Sequence, residues 1–261
     1  MKVREVDETH DLAEVSALLE SVWGRNPEGV PLPSEVLRSL AHAGGCTLAA
    51  YDRSGRLVGA ACLTPARPST SVYGLIAAVA PGQHDRGIGR LLKSAQRAWA
   101  LERGFTTMTW TFDPLVARNA RFNLVTLGAL AREYVVSFYG PMTDELNGGD
   151  VGDRLVASWE LASPRAERAV TGVLSAEPVR DRDAEASSVG PDGAPMALRD
   201  QTGLWVRVPD DVVELRRRDP GLAAAWRHAV REVMAPELSE GGVLHHVTRD
   251  GWYLASRGAL R

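Results

Sequence analysis

The sequence predicts an α/β protein built on a mixed sheet, with a smaller α+β extension toward its C-terminal end. Three observations carry that reading. Over residues 1–162, apolar runs of strand length alternate with stretches of helical spacing. One such run, Leu75 to Ala80, stops at Pro81-Gly82 and re-enters a helix through Gly87 and Gly89. Thr106 to Phe112 alternates strictly, with threonines at 107, 109 and 111 and Met108, Trp110 and Phe112 opposite them.

Taken in order, Val3 to Val6 reads as a strand. Asp11 to Trp23 reads as a helix with Leu12, Val15, Leu18, Leu19 and Val22 on one stripe. Gly24 to Pro33 is a Gly/Pro loop. Ser34 is placed to cap a second helix carrying Val36, Leu37 and Leu40, which stops near Gly44-Gly45. Cys46 to Tyr51 and Arg56 to Leu63 are strands joined at Asp52-Arg53-Ser54-Gly55, and Val72 to Val79 is the next. The helix from Gly87 to Arg103 places Ile88, Leu91, Leu92, Ala95, Ala98 and Trp99 together. Lys93, Gln96, Arg97 and Glu102 fall off that face, and Gly104 ends the helix. Val116 to Leu127 is a short helix; Ala131 to Phe138 and Asp153 to Leu161 are strands.

Residues 163–200 read as a connecting segment. Within it Val170 to Leu174 is a candidate strand and Arg180 to Pro195 a flexible connection. Residues 201–261 form the extension: a strand at Leu204 to Val208, a helix from Asp210, and a longer helix from Pro220-Gly221 carrying Leu222, Ala225, Trp226, Ala229 and Val233. A hairpin about Arg249-Asp250-Gly251 closes it. Arg216-Arg217-Arg218 reads as a solvated helix face. His245 and His246, adjacent in a strand, point to opposite faces and do not make a shared metal site.

Composition narrows the function classes. The chain is 44% hydrophobic and 24% charged with a net charge of −3, so no basic field points to nucleic acid or a membrane surface. No apolar run approaches the ~20 residues of a membrane span, and Met1-Lys2-Val3-Arg4-Glu5 lacks a signal-peptide core; a cytoplasmic location is expected. Cys46 and Cys62 are too few for a disulfide scaffold, complete no zinc spacing, and read as core residues. No metal is expected.

The glycine loop has two readings. A strand, a glycine turn and a helix start together make a backbone anion site, because the first amides of a helix have no intrahelical partner and sit at the positive end of its dipole. Arg86 and Arg90 add charge beside it. The other reading is a tight turn whose glycines only ease packing. No Gly-Lys-Ser/Thr follows, and the third glycine of a dinucleotide fingerprint is absent. A phosphate-bearing ligand of another kind is therefore expected.

The stretch resembles the acyl-CoA pyrophosphate loop of the GNAT superfamily, the GCN5-related N-acetyltransferases, which reads Gln/Arg-x-x-Gly-x-Gly/Ala. Gly87 and Gly89 match its glycines; the first position falls on His84, with Gln83 one residue early. The resemblance implies that Gln83, His84, Arg86, Gly87, Ile88, Gly89, Arg90 and Leu91 bind the CoA pyrophosphate. It also implies that Val79 pairs with the pantetheine arm, and that an amide from about Ala78 to Ala80 polarises the thioester carbonyl. It implies a GNAT-like fold whose central strands splay, placing Trp110 to Asp113 near the reaction centre. Trp23, Asn26 and Pro27 would then lie by the acceptor entrance, where loop packing is the other reading. A longer pattern resembles a subfamily of predicted GNAT acyltransferases: Trp110-Thr-Phe-Asp113-Pro114-Leu115, Asn119-Ala120, Asn123, Leu127-Gly128-Ala129, Tyr139-Gly140, Asp144, Leu146-Asn147-x-Gly149 and Asp153-Arg154.

Acyl transfer from CoA to an amine needs a deprotonated nucleophile, an oxyanion donor and a proton for the departing thiolate. Leu75 to Ala80 holds no acid, and the family's usual Tyr falls on Leu124. Asp113 is the replacement base, or a cap on the following helix. Tyr139 is the replacement acid, or a core aromatic. Asn119 and Asn123, at i and i+4, either bind substrate or repair the backbone. Asp153-Arg154 either clamps a carboxylate through Arg154 or forms a structural ion pair. The expected function is a CoA-dependent N-acyltransferase using acetyl-CoA or a larger acyl-CoA such as succinyl-CoA, with Trp110 and Arg154 meeting a small-molecule amine. The rival is a non-catalytic acyl-CoA-binding module. The C-terminal extension closes over the acceptor, supplies a homodimer surface, or completes the core.

Overall fold

The computed structural model describes residues 1–24, 31–142, 149–173 and 176–258. Asn26, Pro27, Asp144, Leu146, Asn147 and Leu174 lie outside the described residues. The chain packs as two compact units, Met1–Trp110 with Glu160–Ala162 and Thr111–Trp159 with Ser163–Arg261.

In the first unit, β1 (Lys2–Glu5), β2 (Cys46–Tyr51), β3 (Leu57–Ala66), β4 (Ser71–Val79) and the start of β5 (Thr107–Phe112) are neighbours in that order. β1 to β4 are antiparallel; β4 and β5 are parallel. A parallel pair needs a crossover, and α3 (Ile88–Glu102) supplies it. Leu12, Val15, Leu18 and Leu19 of α1 (Thr9–Trp23) and Leu37 of α2 (Ser34–His42) pack on Ala49, Ala60, Cys62 and Ala78. Gly59, beside Ala60 and so on the opposite face, meets α3: a Cβ there would stand 2.7 Å from Ile88 Cγ2. Cys46 and Cys62 are both buried, and burial pushes both thiols up.

Two local expectations change here. Ser34 is the first residue of α2 and not its cap. Pro33 holds the cap position, its carbonyl accepting from Val36 and Leu37, and no side chain caps the helix. The buried stripe of α3 is Ile88, Leu92, Lys93, Gln96, Trp99 and Ala100, whereas Ala98 is exposed. Lys93 and Gln96, expected off the apolar face, lie inside it. The side-chain-free positions of the sheet leave room for long side chains from the helix; a Cβ at Gly74 would lie 3.5 Å from Lys93 Nζ.

In the second unit, α4 (Ala117–Arg121) runs on into a π-helical turn, Phe122–Thr126. The strands β6 (Leu130–Val135), β7 (Arg154–Glu160), β8 (Glu185–Val189), β9 (Pro195–Asp200), β10 (Gly203–Arg207), β11 (Val243–Val247) and β12 (Trp252–Ser256) lie in the order β7-β6-β11-β12-β10-β9-β8, every pair antiparallel. The helices are α5 (Pro164–Thr171), α6 (Val212–Arg218) and α7 (Pro220–Ser239). The expected strand from Val170 does not form. Ser163 Oγ accepts from Ala166 N–H, Pro164 occupies the first helical position and Gly172 terminates in the left-handed region, so Val170 ends a helix. Nor is Arg180 to Pro195 only a connection, since it contains β8. All but one of β8's side chains are exposed, so this strand has no apolar alternation for a sequence reading to detect. Among the described residues no helix is long and apolar enough to cross a membrane, and no cluster of metal-binding side chains occurs.

Candidate functional site

β4 is irregular where the chemistry is expected. Its register with β3 runs Cys62 opposite Ile76 and Leu63 opposite Gly74, so Leu75 is an extra, bulged residue. Bulges re-aim a strand and end its pairing. The parallel ladder to β5 stops at the same place: Ser71, Val72 and Tyr73 pair with Thr107, Met108 and Thr109, and nothing pairs beyond. From Gly74 onward β4 thus has an edge that β5 does not cover.

Ala80 N–H donates to Val58 O at 3.0 Å, on the β3 side. Successive residues in an antiparallel ladder turn their polar groups to alternate edges. Val79 therefore presents its amide and carbonyl to the uncovered edge, whereas Ala80, and Ala78 by the same alternation, are spent on β3. Of the amides from Ala78 to Ala80, that of Val79 is the one that faces the uncovered edge.

Beyond β4, Gln83 N–H closes a turn on Ala80 O, and Gly82 takes a positive φ of 74°. Gly87 is the cap of α3 with φ 76° and ψ 6°, and no side chain caps it. Leu91 is bonded to Gly87 O, so the amides of Ile88 and Gly89 precede the first intrahelical bond. A Cβ at Gly87 would meet nothing within 4 Å, which leaves this face of the loop open. His84 and Arg86 are exposed, and Arg86 donates to Gln83 Oε1. The arrangement offers backbone amides, the positive end of a 15-residue helix and arginine side chains to an anion.

Residues 14–122 match the model of the Acetyltransferase (GNAT) family. That match covers less than half of the chain. An N-acetyltransferase from Staphylococcus aureus Mu50 shares 12% identity, covers 61% of this chain and 98% of its own, and superposes with a TM-score of 0.51. An acetyltransferase of the GNAT family from Streptococcus pneumoniae gives 18%, 60%, 97% and 0.50. No curated protein matches the chain. The likeness to these structures is one of fold, and this chain carries extra C-terminal strands.

The remaining predicted residues are spread over both units. In the first, Trp110 is buried, its ring covered by Lys93 Nζ at 3.9 Å from the centroid. In the second, Asp113 is buried and multiply held. Its Oδ1 accepts from Leu115 N–H at 2.8 Å, and its carboxylate pairs with Arg216 at 2.6 Å and Arg227 at 2.8 Å. Asp150 pairs with the same two arginines at 2.6 and 2.7 Å. Burial pushes the Asp150 carboxyl up, but hydrogen bonds and charge from Arg227 and Arg216 outweigh it and hold it below the usual range. Arg216 is therefore not part of a solvated face. Only Arg217 and Arg218 of that run are exposed, because the buried side of α6 is Val212, Leu215 and Arg216.

Tyr139 is 49% exposed and is not a core aromatic. Its hydroxyl lies 3.2 Å from Thr111 Oγ1, and Arg154 stands 5.2 Å over its ring. Asn119 and Asn123 share a face, with Asn123 Nδ2 3.5 Å from Asn119 Oδ1. The Asp153–Arg154 ion pair does not form. Strand neighbours point to opposite faces, and Asp153 instead takes Arg231 at 2.8 Å, the Tyr134 hydroxyl at 2.7 Å and Ser137 N–H at 2.9 Å. Arg154 is buried, donating to Asp153 O and lying against Met142 Sδ, and among the described residues it has no carboxylate partner. Sequence reasoning missed Lys93, Arg216 and Arg227. For Lys93 a signal existed: it lies one residue from Leu92 on the stripe that also holds Gln96 and Ala100.

Proposed function

We propose that this protein is a GNAT enzyme, a CoA-dependent N-acyltransferase that moves an acyl group, by default acetyl, to the amine of a small molecule by direct attack in a ternary complex. The observation that carries the reading is the continuity of a strand edge that β5 does not pair with and a helix start that no side chain caps. The uncovered edge of β4 leads through Val79 into a loop that ends at the uncapped N-terminus of α3. The pantetheine arm adds to β4 as a strand would. Its pyrophosphate meets the amides between Gln83 and Leu91, with Gln83, His84, Arg86 and Arg90 around it. The amine attacks the thioester carbon, and Val79 N–H steadies the oxygen as the carbon becomes tetrahedral. In the second unit, Tyr139 is the proposed proton donor, Arg154 the proposed partner for a carboxylate on the acceptor, and Asn119 and Asn123 hydrogen-bonding partners. Asp113 takes the capping and ion-pair role, because two guanidiniums and a backbone amide already occupy its oxygens. The base is then the bulk solvent or the acceptor's own amine in its free form.

The occupied Asp113 and the absence of an acid on β4 favour one rival, an acyl-CoA-binding module without turnover. A thermal-shift series with CoA, acetyl-CoA and succinyl-CoA tests what both readings share. Ligand at about 100 times its dissociation constant adds about 2.7 kcal/mol, and no shift at millimolar ligand overturns both. Release of CoA from acetyl-CoA with an amine panel separates them: turnover supports the enzyme, and binding without turnover supports the module.

A further inference from the structure

Lys93 is a lysine buried inside the first unit with no anion beside it among the described residues. It projects from the middle of α3 to the point where β4 and β5 part. Its Nζ lies 3.9 Å from the centre of the Trp110 ring and 3.9 Å from Met108 Sδ. Gly74 is the first β4 residue past the last β4–β5 pair, and a Cβ there would lie 3.5 Å from Nζ and 3.4 Å from Trp110 Cβ. Lys93 is 6% exposed.

The elements packed around it offer no counter-charge. β2, β3, β4 and β5 carry no Asp, Glu, Lys or Arg; their titratable groups are Cys46, Tyr51, Cys62 and Tyr73. β1 carries Lys2, Arg4 and Glu5, and Glu5 is engaged by Trp99 Nε1 and Arg103. On α3 itself Arg90 and Arg97 are the nearest charges in sequence, both positive, and Arg97 donates to Leu161 O. An aromatic face and a thioether satisfy an ammonium far less well than a carboxylate does. Burial accordingly pulls the Lys93 ammonium down to about 7.

We propose that Lys93 is the counter-ion for the acyl group, and that this enzyme takes an acyl-CoA whose chain ends in a carboxylate, of the malonyl or succinyl class. The inference rests on the reading that acyl-CoA lies along β4. A donor held by its pyrophosphate at Gly87 and laid along that edge runs back toward the parting of the strands. Its acyl end is the part that approaches Gly74, where the missing side chain leaves Nζ against the strand. A neutral acetyl group gives the ammonium nothing, whereas a terminal carboxylate completes it. A hydrocarbon at position 93 would fill the same space without the cost of a buried charge.

The test compares each charged donor with a neutral isostere: malonyl-CoA with isovaleryl-CoA, and succinyl-CoA with 4-methylpentanoyl-CoA, by calorimetric titration. At pH 6.5 the wild type is expected to favour at least one charged donor by about tenfold or more, the scale of a charge-assisted hydrogen bond. The preference should shrink as the pH rises from 7 to 9, where free Lys93 loses its proton. Lys93→Met should bring the ratio to about one, and Lys93→Gln serves if the Met variant binds nothing. The ratio is taken within each variant, so a general loss of affinity cancels. Equal affinity of charged and neutral donors in the wild type, or a preference that survives both substitutions, overturns the role of Lys93. Failure of the wild type to bind any acyl-CoA overturns the β4 reading itself.

Discussion

Burying Lys93 costs stability, and the cost depends on pH. The unfolded side chain keeps its proton up to 10.5, whereas the folded one loses it near 7. Between those values the unfolded state binds more protons, so stability rises with pH across that window. Each unit of displacement is worth about 1.4 kcal/mol. Lys93→Met is expected to be more stable than wild type at pH 6 and to lose the rise between pH 7 and 9.5. Urea denaturation across that range checks it, and an unchanged pH slope would show that the wild-type ammonium is not penalised by burial. At this scale the sequence was legible where a residue's conformation is local. Gly87 marks the loop because a left-handed helix cap calls for glycine. Partners distant in sequence were not legible: Arg216 and Arg227 reach Asp113 from 103 and 114 residues away.

Among elements, the strand–loop–helix of β4 and α3 was readable because each part has its own signature. Val72 to Val79 ends at Pro-Gly, and α3 carries a regular stripe. The bulge at Leu75 has no such signature, since Gly-Leu-Ile-Ala continues the apolar run unbroken. β8 was invisible because an edge strand with exposed side chains buries too little to leave a pattern. In the second unit, the cluster of Asp113, Asp150, Arg216 and Arg227 ties the end of β5 to α6 and α7. Removing one member of a buried ion pair strands its partners and costs about 3–5 kcal/mol. Asp113→Asn is therefore expected to destabilise the protein by an amount of that order in chemical denaturation. A variant as stable as wild type would remove the ion-pair role and return Asp113 to the chemistry.

At the scale of the whole molecule, the GNAT signature occupies part of the chain, and the family model spans residues 14–122. The extension was legible as an ordered α+β element from its helix stripes and its hairpin about Gly251, and its strands β10, β11 and β12 join β6, β7, β8 and β9 in one antiparallel array. Its function was not legible, because its polar residues satisfy one another: Asp153 with Arg231, Glu237 with Arg199 and Arg257, Asp200 with Trp205. His245 and His246, the adjacent pair in β11, are held by burial to about 4, so both are neutral at physiological pH. The central claim for the molecule is that acyl-CoA binds through the backbone of the loop at Gly87. Asn and Asp are similar in size, and both tolerate the left-handed backbone at that position. Calorimetric titration of acetyl-CoA into wild type, Gly87→Asn and Gly87→Asp isolates the effect of charge on the pyrophosphate. Gly87→Asn should bind within about tenfold of wild type, and Gly87→Asp should show no measurable binding while remaining folded; equal affinity of the Asp and Asn variants would place the pyrophosphate elsewhere.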